Sequence, residues 1–154
     1  MEHKIDEAAV WQRVTGSVPH TGGDAGRPVL LAPELLSVWA QMECCYRLLS
    51  QLARSNRCYN AAAQAQRQQT ARLGGLICLM SGSPPNAEKE APPSGSRTRQ
   101  LSWLLTAIER CAARLDELSA QAAGLTQDAL KDLAAQQRQQ WSQCLNLLGQ
   151  LTMP

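Results

Sequence analysis

The chain has 154 residues, which fits one domain, and a net charge of +2 with its basic residues scattered, which excludes the concentrated cationic face that nucleic-acid binding needs. Apolar residues make up 44% but aromatic residues only 4%, with no Phe, so a core has to come from Leu, Ala, Met, Cys and the four Trp. Sixteen Gln, together with many Ala and Leu and no long β-branched runs, favour helix over strand.

The longest apolar stretch, Leu73 to Met80, is interrupted by Gly74 and Gly75 and is too short to cross a bilayer. The start, Met1 to Glu7, carries acids and no apolar stretch, so no secretory signal is expected and the reading is cytoplasmic. Six Cys, at 44, 45, 58, 78, 111 and 144, form no CxxC pair. Cys45, Cys78, Cys111 and Cys144 fall within helical apolar patterns, so the cysteines read as reduced thiols acting as small core hydrophobes.

Residues 1–33 read as an N-terminal arm. Within it, residues 6–14 are consistent with a short helix carrying Ile5, Ala8 and Trp11 on one side, and the following Gly-rich stretch is irregular. Pro33 suits the first turn of the first long helix, over about 34–54, with Leu35, Trp39, Met42, Tyr46, Leu49 and Ala53 on one face. Ser55 or Asn56 caps the second helix, over about 57–80, whose stripe is Gln66, Gln69, Leu73, Leu76, Ile77 and Met80. Ser81-Gly82 ends it.

Residues 81–96 hold four Pro and two Gly and no apolar periodicity, so they read as a linker. The third helix spans about 97–123, with Leu101, Leu104, Leu105, Ile108, Cys111, Leu115 and Leu118 inward, and Gly124 as its stop. Thr126 caps the fourth. Its inner face is Leu130, Leu133, Gln137, Gln140, Cys144, Leu147, Leu148 and Leu151.

An internal repeat links the two halves. Gln66-Arg67-Gln68-Gln69 recurs as Gln137-Arg138-Gln139-Gln140, and in that register Leu76, Ile77 and Met80 meet Leu147, Leu148 and Leu151. In the first and third helices Glu43 meets Glu109, Cys45 meets Cys111, Leu49 meets Leu115 and Leu52 meets Leu118. The chain thus reads as two related helical hairpins. A helix of this size is roughly 33 Å long, and some fifteen extended residues reach roughly 50 Å. The linker is therefore long enough to run the length of a bundle and start the third helix at the far end, which makes the predicted fold an all-α four-helix bundle, residues 34–154, with one long crossover.

On these features, with the Tyr46-Arg47-Leu48-Leu49 stretch late in the first helix, the chain resembles the ferritin-like superfamily, and bacterial rubrerythrin-like proteins in particular, over residues 34–151. The resemblance implies a Glu from the first helix of each hairpin and Glu-x-x-His from the second, together holding two iron or manganese ions. Here those second-helix places hold Gln66 and Gln69, and Gln137 and Gln140. The first-helix place falls on Trp39 and Leu105, or one turn later on Glu43 and Glu109. Residues 57–80 contain no Asp, Glu or His, and both histidines, His3 and His20, lie in the arm.

Two readings of the glutamines stand side by side. They are either a buried polar cluster pairing across the core or part of a solvated face. Their continuity with the Leu73-Leu76-Ile77-Met80 stripe favours burial. Glu43 and Glu109 are weak candidates for a single divalent ion and otherwise partners for Arg47, Arg110 or Arg114. The expected function is a metal-free, non-catalytic domain with no cofactor, serving as a structural or protein-interaction module. The alternative is a divergent di-iron or di-manganese oxidoreductase with a partial carboxylate site. Partners are a protein or a second copy of the chain, with Trp11 and the arm either mediating a homodimer or covering the bundle's open end. Neither nucleic acid nor membrane is expected.

Overall fold

A computed structural model describes residues 27–152 of the chain. The expected short helix at 6–14, Trp11, His3 and His20 lie outside them. Four helices account for most of the described residues: α1 (Arg27–Ser55), α2 (Asn60–Ser81), α3 (Arg97–Ala120) and α4 (Gly124–Thr152). A single 3₁₀ turn, Arg57–Tyr59, leads into α2, and no strand occurs among the described residues.

Local chemistry explains most of the boundaries. The Asn56 side chain accepts from the Cys58 amide at 3.0 Å, so the cap serves the 3₁₀ turn rather than α2 directly. Gly82, at φ +80°, ends α2 by donating to the Cys78 carbonyl at 2.8 Å. Ser96 caps α3 by accepting from the Arg99 amide at 3.2 Å. Two expectations shift. Gly124, φ +61°, opens α4 instead of stopping α3, which ends at Ala120. Helix α1 starts at Arg27, so Pro33 lies inside it rather than in its first turn. A proline there forgoes one intrahelical bond, while Leu31 and Ala32, both buried, hold the turn beside it against the core.

Helix α1 packs on α2 and α3 on α4, and the two pairs join through α1 with α3 and α2 with α4. Arg97 at the start of α3 donates to the Ser55 hydroxyl at the end of α1, at 3.0 Å, while Arg114 reaches Glu34 near the start of α1 at 3.1 Å. These two helices therefore run in opposite directions. The Arg97 guanidinium also lies over the Tyr59 ring, 5.7 Å from its centroid, tying α3 to the turn before α2. Arg72 with Asp132 at 2.9 Å, and Gln69 with Gln137, set α2 against α4 in the same antiparallel sense.

The buried face of α1 is Leu35, Val38, Met42, Cys45, Leu49 and Leu52. This corrects the predicted stripe. Trp39, Tyr46 and Ala53 are one position further round and only half-buried. The chosen face has its counterpart, sixty-six residues on, in Leu101, Leu104, Ile108, Cys111, Leu115 and Leu118 of α3, all buried. Leu105, expected inward, is half-buried, and Leu151 at the end of α4 is 40% exposed. Among the described residues no helix is long and apolar enough to cross a membrane.

Candidate functional site

Of the six glutamines in the repeated motif, Gln66, Gln69, Gln137 and Gln140 are buried, Gln66 and Gln137 completely, while Gln68 and Gln139 are exposed. They divide the apolar core. One cluster joins Leu31, Leu35 and Met42 of α1 to Leu73, Leu76 and Met80 of α2, Leu115 and Leu118 of α3 and Leu130 and Leu133 of α4. The other joins Leu49 and Leu52 to Ala62, Leu101, Leu104, Cys144 and Leu147. Along α2 and α4 the boundary between the clusters is the glutamine layer. Helical spacing of three places both glutamines of each helix on the same inward face, so the two pairs meet.

The layer is held by amide chemistry. The Gln137 amide nitrogen donates to Gln66 Oε1 at 3.4 Å and to Gln69 Oε1. Gln66 in turn donates to the Met42 backbone carbonyl at 3.3 Å, and Gln140 donates to the Ala62 carbonyl at 2.6 Å. The chain thus links α4 to α2 and α2 to α1. Thr70, also buried, turns its hydroxyl back to the Gln66 carbonyl at 2.7 Å and adds no donor to the layer. Gln137 Oε1 and Gln140 Oε1 are buried and find no hydrogen-bond partner among the described residues.

Neither first-helix register aligns with this layer. The α1 residue that meets Gln66 is Met42, between the two registers read from the sequence. Trp39 and Leu105 are not brought together: Trp39 borders the first core cluster and Leu105 the second. Trp39 instead packs over Gly74 and Pro85, where an added Cβ on Gly74 would stand 3.2 Å from the indole nitrogen. Glu43 is partly exposed and 4.0 Å from Arg47. Glu109 is exposed, in a groove between α3 and α4 with Arg138 and Trp141. The two carboxylates lie on the outside of different hairpins. Among the described residues no group of three or more His, Cys, Asp or Glu side chains is placed to hold a metal ion.

Cys45, Cys111 and Cys144 are fully buried next to the layer. Burial pushes the Cys111 and Cys144 thiols up to about 12. Burial, then the neighbouring Cys111, Cys44 and Cys144, raises Cys45 well above the ordinary thiol value. All three therefore stay protonated at neutral pH and behave as packing groups. Sequence reasoning does not single out Met42 and Ala62 as amide partners, because a main-chain acceptor leaves no mark in the side-chain pattern. Comparisons with known protein families, with characterised proteins and with solved structures return no match to this chain.

Proposed function

We propose that the chain is a ferritin-like bundle of the rubrerythrin-like kind that works without metal, as a structural or protein-interaction module rather than an enzyme. The topology of that reading is supported by where α3 begins. Met80, in the last turn of α2, shares a core cluster with Leu31 and Leu35 at the start of α1, whereas Leu101 of α3 shares the other cluster with Leu49 and Leu52 near the end of α1. Residues 82–96 would then cross the length of the bundle. Along the way the Glu90 carbonyl accepts from the Cys44 thiol at 3.8 Å and from Arg47 at 3.4 Å.

The observation that carries the chemical half of the proposal is the donor set of the glutamine layer. Four neutral amides stand where the resemblance calls for two carboxylates and two imidazoles. They bring no charge to balance two divalent ions, and amide oxygens are poor ligands for iron. Gln66 Oε1 and Gln69 Oε1 are moreover engaged by the Gln137 amide. This donor set does not fit a di-metal centre.

Elemental analysis of the purified protein, expressed with iron and manganese in excess, tests the reading. The expected content is far below one metal per chain, with no consumption of added peroxide. Stoichiometric iron or manganese would overturn it in favour of a divergent oxidoreductase.

A further inference from the structure

Two of the layer's buried glutamines end on an oxygen that no donor among the described residues serves. Gln137 is 0% exposed and Gln140 2%, and the Oε1 atom of each is closed off from solvent without a hydrogen bond. Gln136 Oε1 shares that condition, but Gln136 is only half-buried and its amide lies with Asp132 at the surface. Buried carbonyl oxygens of folded proteins nearly always meet a donor, from the protein itself or from an ordered water.

Turning the amides round does not supply one. Gln140 Nε2 donates to the Ala62 main-chain carbonyl at 2.6 Å. Exchanging its nitrogen and oxygen would set two acceptors against each other. The Gln66 amide is fixed in the same way by the Met42 carbonyl, so its oxygen is the atom that faces Gln137. Gln137 must then present its nitrogen to Gln66 and Gln69, which leaves its own oxygen unserved. The Thr70 hydroxyl already donates to the Gln66 main-chain carbonyl. Gln140 adjoins Ala62 and, one turn on, Cys144, both in the second core cluster. Side chains this small leave a core room for a molecule of water's size.

We propose that the layer binds one internal water, which donates to both Gln137 Oε1 and Gln140 Oε1. A spacing of three along α4 sets the two side chains on one face, and a water has a donor for each. Charge selects water over a cation. Carbonyl oxygens would also suit potassium or ammonium, but Glu43 and Glu109 lie outside the bundle, and residues 57–80 and 133–152 contain no Asp or Glu. A cation buried there would have no counter-charge. The inference rests on the metal-free reading above, because metal ions in the layer would claim the same oxygens.

Oxygen-17 relaxation dispersion on the full chain tests it, since that signal reports long-held waters and is not disturbed by proton exchange from Thr70 or the thiols. The amplitude is expected to fall by about one water in Gln140→Met and to stay unchanged in Gln139→Met, at the exposed neighbouring position. An equal amplitude in Gln140→Met and the unaltered chain would overturn the proposal. A crystal structure of the unaltered protein needs no variant. Water density within about 3 Å of both oxygens is expected; density at only one of them, or at neither, would overturn the proposal. Thermal midpoints in potassium, ammonium and sodium chloride at equal ionic strength are expected to coincide. A rise confined to potassium or ammonium would overturn it in favour of a cation site. Absence of the water from protein shown to be metal-free by elemental analysis counts against this inference alone, whereas iron or manganese in the layer counts against the metal-free reading as well.

Discussion

Gln137 and Gln66, equivalent positions in the two halves of the chain, are hydrogen-bonded to each other across the middle of the core, the Gln137 amide donating to Gln66 Oε1 at 3.4 Å. The same amide serves Gln69. One side chain therefore satisfies two buried carbonyl groups on the facing helix, and the layer hinges on it.

This asymmetry separates two substitutions of similar size. Gln137→Leu leaves the side-chain oxygens of Gln66 and Gln69 without their donor and is expected to cost about 1–3 kcal/mol. Gln140→Leu removes an acceptor that has no partner among the described residues, and its own donor goes only to the main-chain carbonyl of Ala62. It is expected to be close to neutral. Urea denaturation at constant m reads both. Equal losses would contradict the central place of Gln137 in the layer.

Gly74 and Gly75 are adjacent in α2 but differ in surroundings. Nothing lies within 4 Å of a Cβ at Gly75, so Gly75→Ala is expected to stabilise the helix by about 0.5–1 kcal/mol. At Gly74 the added methyl would meet the Trp39 indole at 3.2 Å and Pro85 at 3.3 Å. Gly74→Ala is expected to lose that gain and to lower the thermal midpoint relative to Gly75→Ala, as followed by circular dichroism.

The buried thiols give stability a dependence on alkaline pH. Cys111 and Cys144 ionise near 9.0 when unfolded and near about 12 when folded, because burial disfavours the thiolate. Below pH 9 both states keep the proton and the pH has no leverage through these groups. Between 9 and 12 the unfolded chain gives up protons that the folded chain retains, so stability falls as pH rises, by up to about 1.4 kcal/mol per unit for each thiol. Denaturant midpoints measured from pH 8 to 10.5 should decline, and the decline should shrink in Cys111→Ala compared at matched pH.

The cap on α3 is a local contribution. Ser96→Ala removes the acceptor of the Arg99 amide and is expected to cost roughly 1 kcal/mol. Ser102→Ala, at an exposed position inside the same helix, is expected to gain a few tenths. A thermal melt with Ser96→Ala as stable as Ser102→Ala would mean that the cap contributes nothing to the helix.

Much of this architecture is legible without coordinates where two signals coincide. The glutamines continue an apolar stripe in both α2 and α4, and the repeat places them opposite each other, so burial and mutual pairing both follow. The phase of α1 was not legible in the same way. Trp39, Tyr46 and Ala53 offer an apolar row alongside Val38, Cys45 and Leu52, and a helix with two adjacent apolar rows can turn either one inward. Comparison with α3 carries a signal in side-chain size, since Val38, Met42 and Cys45 match the apolar Leu104, Ile108 and Cys111, whereas Tyr46 matches the small Ala112 and Ala53 the polar Ser119, although these two are buried as well.

Sequence alone determined the helical class, the hairpin repeat, the breaks at Gly82 and Ser96 and the inward side of α2 and α4, because these depend on propensity, capping and periodicity within single segments. Only the tertiary structure decided that Met42, not Trp39 or Glu43, meets the glutamine layer, that Glu43 and Glu109 lie outside different hairpins, and that α1 continues through Pro33. Those outcomes depend on how four helices rotate against one another to bury the most apolar surface, and no single segment encodes its own rotation.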